Sequence, residues 1–260
     1  MKLKYSIYLL MAGALVMPLT SCNDMLDKEP DSSISPEKYL WDESQLDAYA
    51  LGCYGYLPWN NEVGPCASDN STDIQAGMGV SNVYVNNLHK VGQTGGAWGF
   101  GEIYNCNYFL NIVVPRYEAG ELSGNEENIR HYIGEMYFFR ALNYFNKLRS
   151  VGDFPIVTTV LPDNKDELIA ASKRMPRTEV ARFILEDLDK AAAMMKSTAP
   201  DGNNNRLSSP VAKLLKSRVA LFEGTWLKYF KGTPFVPNGP EWPGAAKEYN
   251  QGYQFKAGSI

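Results

Sequence analysis

A cationic excess is missing from this 260-residue chain: 25 lysines and arginines face 29 aspartates and glutamates, for a formal net charge of −4 at pH 7. Without a basic stripe to neutralise phosphates, nucleic acid is excluded as the expected partner. Histidine is scarcer, with His89 and His131 alone, and no Cys-x-x-Cys occurs, so neither a metal site nor a cofactor is expected. Beyond Cys22 the cysteines are Cys53, Cys66 and Cys106, an odd number without close spacing. That excludes a disulfide framework, although one pair among them stays open. Also lacking is an apolar run of membrane-spanning length, because the stretch from Tyr5 to Leu19 falls short of the roughly 20 residues needed. Ser-His-Asp arrangements, phosphate loops and metalloprotease motifs are not visible. The glycines between Gly95 and Gly101 lack a preceding strand and belong to the start of a helix.

What is present begins at the N-terminus. Lys2 and Lys4 precede the short apolar run, which closes on Leu19-Thr20-Ser21-Cys22. The order is that of a secretory signal. The small residues before Cys22, with Leu19 three positions back, resemble a lipobox, the bacterial lipoprotein cleavage and acylation signal; an ordinary signal peptide or a short anchor is the alternative. On the lipobox reading, residues 1–21 are a signal peptide and Cys22 is lipidated. Residues 22–35, with Asp24, Asp27, Glu29, Asp31 and Pro30, are then a solvated linker. Each buried methylene contributes about 0.8 kcal/mol, and two or more acyl chains anchor firmly. Residues 36–260 are accordingly expected to be a soluble domain tethered to a membrane.

The domain reads as all-α. Asp42 followed by Gln45 resembles a capping box, and Leu46, Tyr49, Ala50, Cys53 and Leu57 recur at helical spacing. Residues 58–96 are rich in Asn, Gly, Asp and Ser and read as one long loop with a short alternating piece near Val80 to Val85. A second helix carries Phe100, Ile103, Asn107, Leu110, Val114 and Tyr117 on one face. Ile133, Tyr137, Ala141, Tyr144, Phe145 and Leu148 line a third, which stops near Gly152. Val180, Ile184, Leu188, Ala191 and Met195 mark a fourth, reached through Pro176-Arg177-Thr178. The fifth has Ser209 as N-cap and Pro210 in its first turn, then Val211, Leu215, Val219, Phe222, Trp226 and Tyr229. Helices two and three form one hairpin, and four and five another. Because an isolated pair cannot bury its own face, the expectation is tetratricopeptide-like stacked hairpins with long irregular loops; an irregular bundle is the alternative.

Arg140 stands on a helix that is otherwise mostly aromatic, so its stem can lie across rings while its guanidinium seeks a carboxylate or carbonyl. Gly152 ends that helix, Asp153 can bond nearby backbone, and Pro155 prevents the helix from resuming. These roles are structural.

Several blocks in order resemble the SusD/RagB family of outer-membrane nutrient-binding lipoproteins. They are SCNDMLDKEPDSSIS after the lipobox, DAYALGCYGYL from Asp47, AWGFGEIYNCNYFLN from Ala97, and GEMYFFRALNYFNKLRSVGDFPIV from Gly134. RTEVARFILEDLDKAA and NRLSSPVAKLLKSRVALFEGTW complete the series. The resemblance implies a non-catalytic, lipid-anchored protein of the outer membrane, facing outward. It would capture a glycan or oligosaccharide and deliver it to a TonB-dependent, SusC-like transporter. Members of that family are about twice as long, so the chain is expected to correspond to an N-terminal portion, with a frameshifted product or a short member as the alternatives.

A sugar-binding face needs flat rings for pyranose faces plus amides and carboxylates for hydroxyls. The loop before Gly96 has that chemistry in Trp59, Asn61, Asp69, Asp73, Tyr84 and Asn87, the candidate ligand contacts. Trp98 and Trp226 read as helix-core packing, and Trp242, loop-borne in PNGPEWPGA, reads either way. Two other functions remain: a tethered helical scaffold binding only protein, and an exported glycoside hydrolase, for which no carboxylate pair stands out.

Overall fold

The computed structural model describes residues 39–57, 85–86, 97–203 and 205–254. Helix α1, Glu43–Gly52, starts as its sequence requires: the Asp42 carboxylate accepts from the Gln45 N–H, and Gln45 Oε1 accepts from the Trp41 N–H. The Gln45 N–H, one of the orphan donors of the first turn, and the Trp41 N–H before the cap are thereby satisfied. A 3-10 turn, Cys53–Tyr56, follows. Helix α2 is Gly101–Glu118, and Asn125 caps α3, Glu126–Val151, by accepting from the Asn128 N–H. A short α4, Lys165–Ala171, precedes α5, Arg177–Met194, and α6, Ser209–Tyr229. Two 3-10 turns, Pro243–Ala246 and Glu248–Asn250, end the described chain. Among the described residues every regular element is helical, and no described helix is long and apolar enough to cross a membrane.

The hairpins form as the periodicity implies. Helix α2 packs on α3, α3 on α5, and α5 on α6, with α1 also against α3, giving tetratricopeptide-like stacked layers. Helix α3 lies at the centre and is buried on nearly every face between His131 and Phe145. That is a wider burial than the apolar stripe alone implies, because α3 also carries buried Glu135, Arg140 and Asn143.

Close approach of α3 to the end of α5 depends on Gly134, where a Cβ would stand 2.7 Å from Met195 Cγ and 3.0 Å from its backbone nitrogen. Gly152 ends α3 at φ +74°, a backbone region that side chains other than glycine's rarely adopt.

Three expectations need correction. Ser208, not Ser209, occupies the N-cap position of α6; Ser209 is the first helical residue, and its hydroxyl donates to the Ala192 carbonyl instead of capping. The buried stripe of α6 runs through Ala212, Val219 and Glu223, while Val211 and Tyr229 are exposed, because α5 covers only one narrow face. Trp98 precedes α2 and is half exposed, stacked on Phe154 at 5.6 Å rather than set in a helix core. Helix α4, seven residues with no buried side chain, has no apolar period by which to anticipate it. Cys53 and Cys106 are buried free thiols, and burial pushes the Cys53 thiol up to about 11.

Candidate functional site

The six loop residues singled out for ligand contact, Trp59, Asn61, Asp69, Asp73, Tyr84 and Asn87, lie outside the described residues, as do Cys22 and Cys66. What the described residues bring together is a cavity of about 340 Å³ where α3 ends. That volume is within the range of roughly 300–1,000 Å³ usual for small-molecule sites.

One wall is the C-terminal turn of α3 and the break after it, Leu148 to Asp153; a second is the start of α5 with Arg174 and Arg177; a third is Trp226 of α6. The remainder comes from the segment after α6, through Phe235, Trp242, Lys247, Tyr249 and Asn250. Gly152 turns the chain sharply, and Asp153 then points its carboxylate across the gap. Its Oδ1 accepts from the Arg177 N–H at 2.8 Å, and its Oδ2 accepts from Trp242 Nε1–H at 3.0 Å. Burial raises the Asp153 carboxyl above the ordinary carboxylate value, against the lowering effect of those two donors.

Trp242 is thus neither free in a loop nor packing alone: it is 5% exposed and tethered to a residue 89 positions earlier. Its ring lies over Gly244, where a Cβ would approach Trp242 Cζ2 to 2.1 Å, so glycine is required there. Tyr253 clamps the segment on α5: its ring leans on Trp242 at 6.1 Å and its hydroxyl meets Thr178 Oγ1 at 2.5 Å and donates to Glu179 Oε1 at 2.8 Å.

Trp226 lies beneath the Arg177 guanidinium, 4.0 Å from it, and Arg177 donates from Nε and Nη2 to the fully buried Glu223 carboxylate. Arg174 donates from Nε to the Asp153 carbonyl at 2.9 Å and lies 4.8 Å over the Trp98 ring. The Tyr249 hydroxyl accepts from the Arg174 N–H at 3.2 Å.

The cavity lining therefore holds four aromatic residues, Trp226, Phe235, Trp242 and Tyr249, of which Phe235 and Tyr249 are exposed, beside amide, carboxylate and cationic groups. Among the described residues Asp153 is the one carboxylate in that lining. Sequence reasoning did not assemble this site. Its two signals, the Gly-Asp-Phe-Pro break and PNGPEWPGA, are each visible, but their meeting is a tertiary event.

A second hollow of about 200 Å³, lined by Phe100, Ile103, Tyr104, Leu161 and Leu168 among others, is more apolar. Two further polar clusters are internal ties. Arg140 donates from Nε and Nη2 to Asp187 and from Nη1 to Asn107, joining α2, α3 and α5, with its guanidinium over Tyr137 and Phe183 as its aromatic helix implies. Glu135 accepts from Arg206 through both oxygens at 2.8 Å and from Tyr54 at 2.6 Å. His131 Nδ1 accepts from the Lys196 N–H, which leaves Nε2 as the donor to Glu135 at 3.2 Å.

No protein-family model matches the chain. Among curated proteins it is similar to the SusD-like protein P25 of Formosa agariphila, 22% identical over 82% of this chain and 42% of that one. The SusD-like protein P2 of the same organism is 25% identical over 86% of this chain and 45% of that one. The chain thus spans less than half the length of the relatives it matches. Among solved structures, a SusD-like protein of Bacteroides fragilis has a TM-score of 0.49 at 20% identity, over 88% of this chain and 42% of its own. A SusD-like carbohydrate binding protein of Bacteroides fragilis has a TM-score of 0.46 at 20% identity, over 71% of this chain and 38% of its own.

Proposed function

We propose, from the premise that this chain is a SusD-like protein, that it is a non-catalytic saccharide-binding protein of the cell surface and that the cavity at the end of α3 is a sugar contact site. The observation carrying the reading is the grouping of Trp226, Phe235, Trp242 and Tyr249 around Asp153 and Asn250 in one cavity. Aromatic faces cover the apolar faces of pyranose rings, and the polar groups between them pair with hydroxyls. A lipid-anchored Cys22 would hold the domain at the outer membrane, and a TonB-dependent, SusC-like barrel would receive the ligand. Trp59, Asn61, Asp69, Asp73, Tyr84 and Asn87, outside the described residues, are proposed as ligand contacts in their own right.

Titration calorimetry of the chain against a panel of oligosaccharides tests the binding step. Phe235, 60% exposed, and the half-buried Trp226 are the rings to remove. Phe235→Ala and Trp226→Ala are each expected to weaken a bound saccharide about tenfold, the equivalent of about 1.4 kcal/mol. A panel with no binder, or a binder indifferent to both variants, overturns the site. Mass spectrometry of the native protein from mild detergent tests the rest: a lipidated species carrying a barrel is expected, and an unlipidated one with no barrel refutes the anchored, transporter-linked form of the reading.

A further inference from the structure

We propose that the cavity selects acidic saccharides, sugars bearing carboxylate or sulfate groups, through Arg149, Arg174 and Lys247. This rests on the saccharide reading above and narrows its ligand.

Elsewhere in the fold the buried arginines are matched: Arg140 meets Asp187, Arg177 meets Glu223, and Arg206 meets Glu135. Three cations in the cavity lining, Arg149, Arg174 and Lys247, are exposed and stand outside that set. Among the described residues, Arg149, Arg174 and Lys247 have no carboxylate within ion-pair distance. The carboxylate they share the lining with, Asp153, already accepts from Arg177 and Trp242. With Arg177 cancelled by Glu223, the lining keeps a positive balance.

Compensation of the α3 C-terminus explains part of this. Arg149 stands in the last turn of α3, and Arg174 reaches the Asp153 carbonyl just beyond it, where cations offset the helix dipole. It does not explain Lys247, which reaches the same cavity from the link between the two terminal 3-10 turns. Cations contributed to one ring-lined hollow by the end of α3, the approach to α5 and the terminal segment form a site for a planar or tetrahedral anion carried on a ring. Guanidinium groups suit carboxylate and sulfate oxygens, while the aromatic faces hold the pyranose. The chain as a whole is −4, so its overall charge repels polyanions and retention of one must come from a local site.

Affinity gel electrophoresis of the whole chain tests this. The gels hold polygalacturonate, its fully methyl-esterified form, alginate, chondroitin sulfate, starch or xylan. Retardation confined to acidic gels is expected, with loss on methyl esterification where uronate is the ligand and retention in chondroitin sulfate where sulfate is. Arg149→Gln combined with Lys247→Gln should weaken that retention about tenfold, with an unchanged circular dichroism spectrum because Lys247 and Arg149 are both exposed. Equal retardation in neutral gels overturns the acidic preference and leaves the saccharide reading standing. No retardation in any gel overturns both. Acidic binding that the double variant leaves intact overturns the assignment to this cavity.

Discussion

Arg140, Arg177 and Arg206 carry the internal electrostatics, each forked onto a carboxylate that is itself fully buried. Removing one partner of such a pair strands a charge at a cost of about 3–5 kcal/mol, whereas replacing both with apolar residues is far less harmful. Asp187→Ala is therefore expected to destabilise by about that amount in urea denaturation, and Arg140→Met with Asp187→Leu to recover most of the loss. A single variant as stable as the parent refutes the account. Glu135 adds a pH dependence. Burial alone would raise its carboxyl, but hydrogen bonds from Arg206 and His131 outweigh that and hold it below the ordinary 4.5. A depressed folded value means stability that is complete above about pH 4.5 and lost as pH falls through the lower folded value. Urea midpoints measured downward from pH 6 should fall in the parent, and Glu135→Gln should lose that part of the acid limb. Identical slopes in the two proteins contradict the linkage.

Elements differ in how openly their sequences announce them. Asp42 with Gln45 marks the start of α1 because a capping box is a local contact, formed within one turn. The α6 start is off by one because Ser208 and Ser209 are chemically equivalent, and the choice falls to the bond from Ser209 to Ala192 on the previous helix. Gly134 shows the same dependence on a neighbour. Alanine there gains helix propensity of about 1 kcal/mol, but its Cβ meets the Met195 backbone nitrogen at 3.0 Å, and backbone cannot rotate away. Overpacking should win, so Gly134→Ala is expected to lower stability by about 1–3 kcal/mol. Guanidinium unfolding decides it, and a stabilised variant means that α3 and α5 shift apart freely.

At the scale of the whole molecule, protection should follow burial. Helix α3 is enclosed by α1, α2 and α5, and its central residues are buried on nearly every face. Helix α4 has no buried residue. Opening free energies range from near zero for such exposed turns to the global value for the core. Hydrogen exchange followed by mass spectrometry should therefore find residues 165–171 exchanging first and 131–145 last. Comparable rates in both segments rule out this ranking. The cavity at the end of α3 belongs to this scale too, since it closes only when the segment after α6 returns to Asp153.

The sequence by itself determined five of the six described α-helices, their order, their pairing into hairpins and the structural role of Arg140, while α4 carried no apolar period. Each of these rests on periodicity, caps or composition within a single element or its neighbour. Only the tertiary structure decided which face of α6 is covered, that Trp98 lies outside a helix core, that Glu135 and Arg206 meet, and that a cavity forms between Asp153 and Trp242. The last three join residues 56, 71 and 89 positions apart. No period or cap encodes them; they follow from how packed helices bring distant side chains into one space.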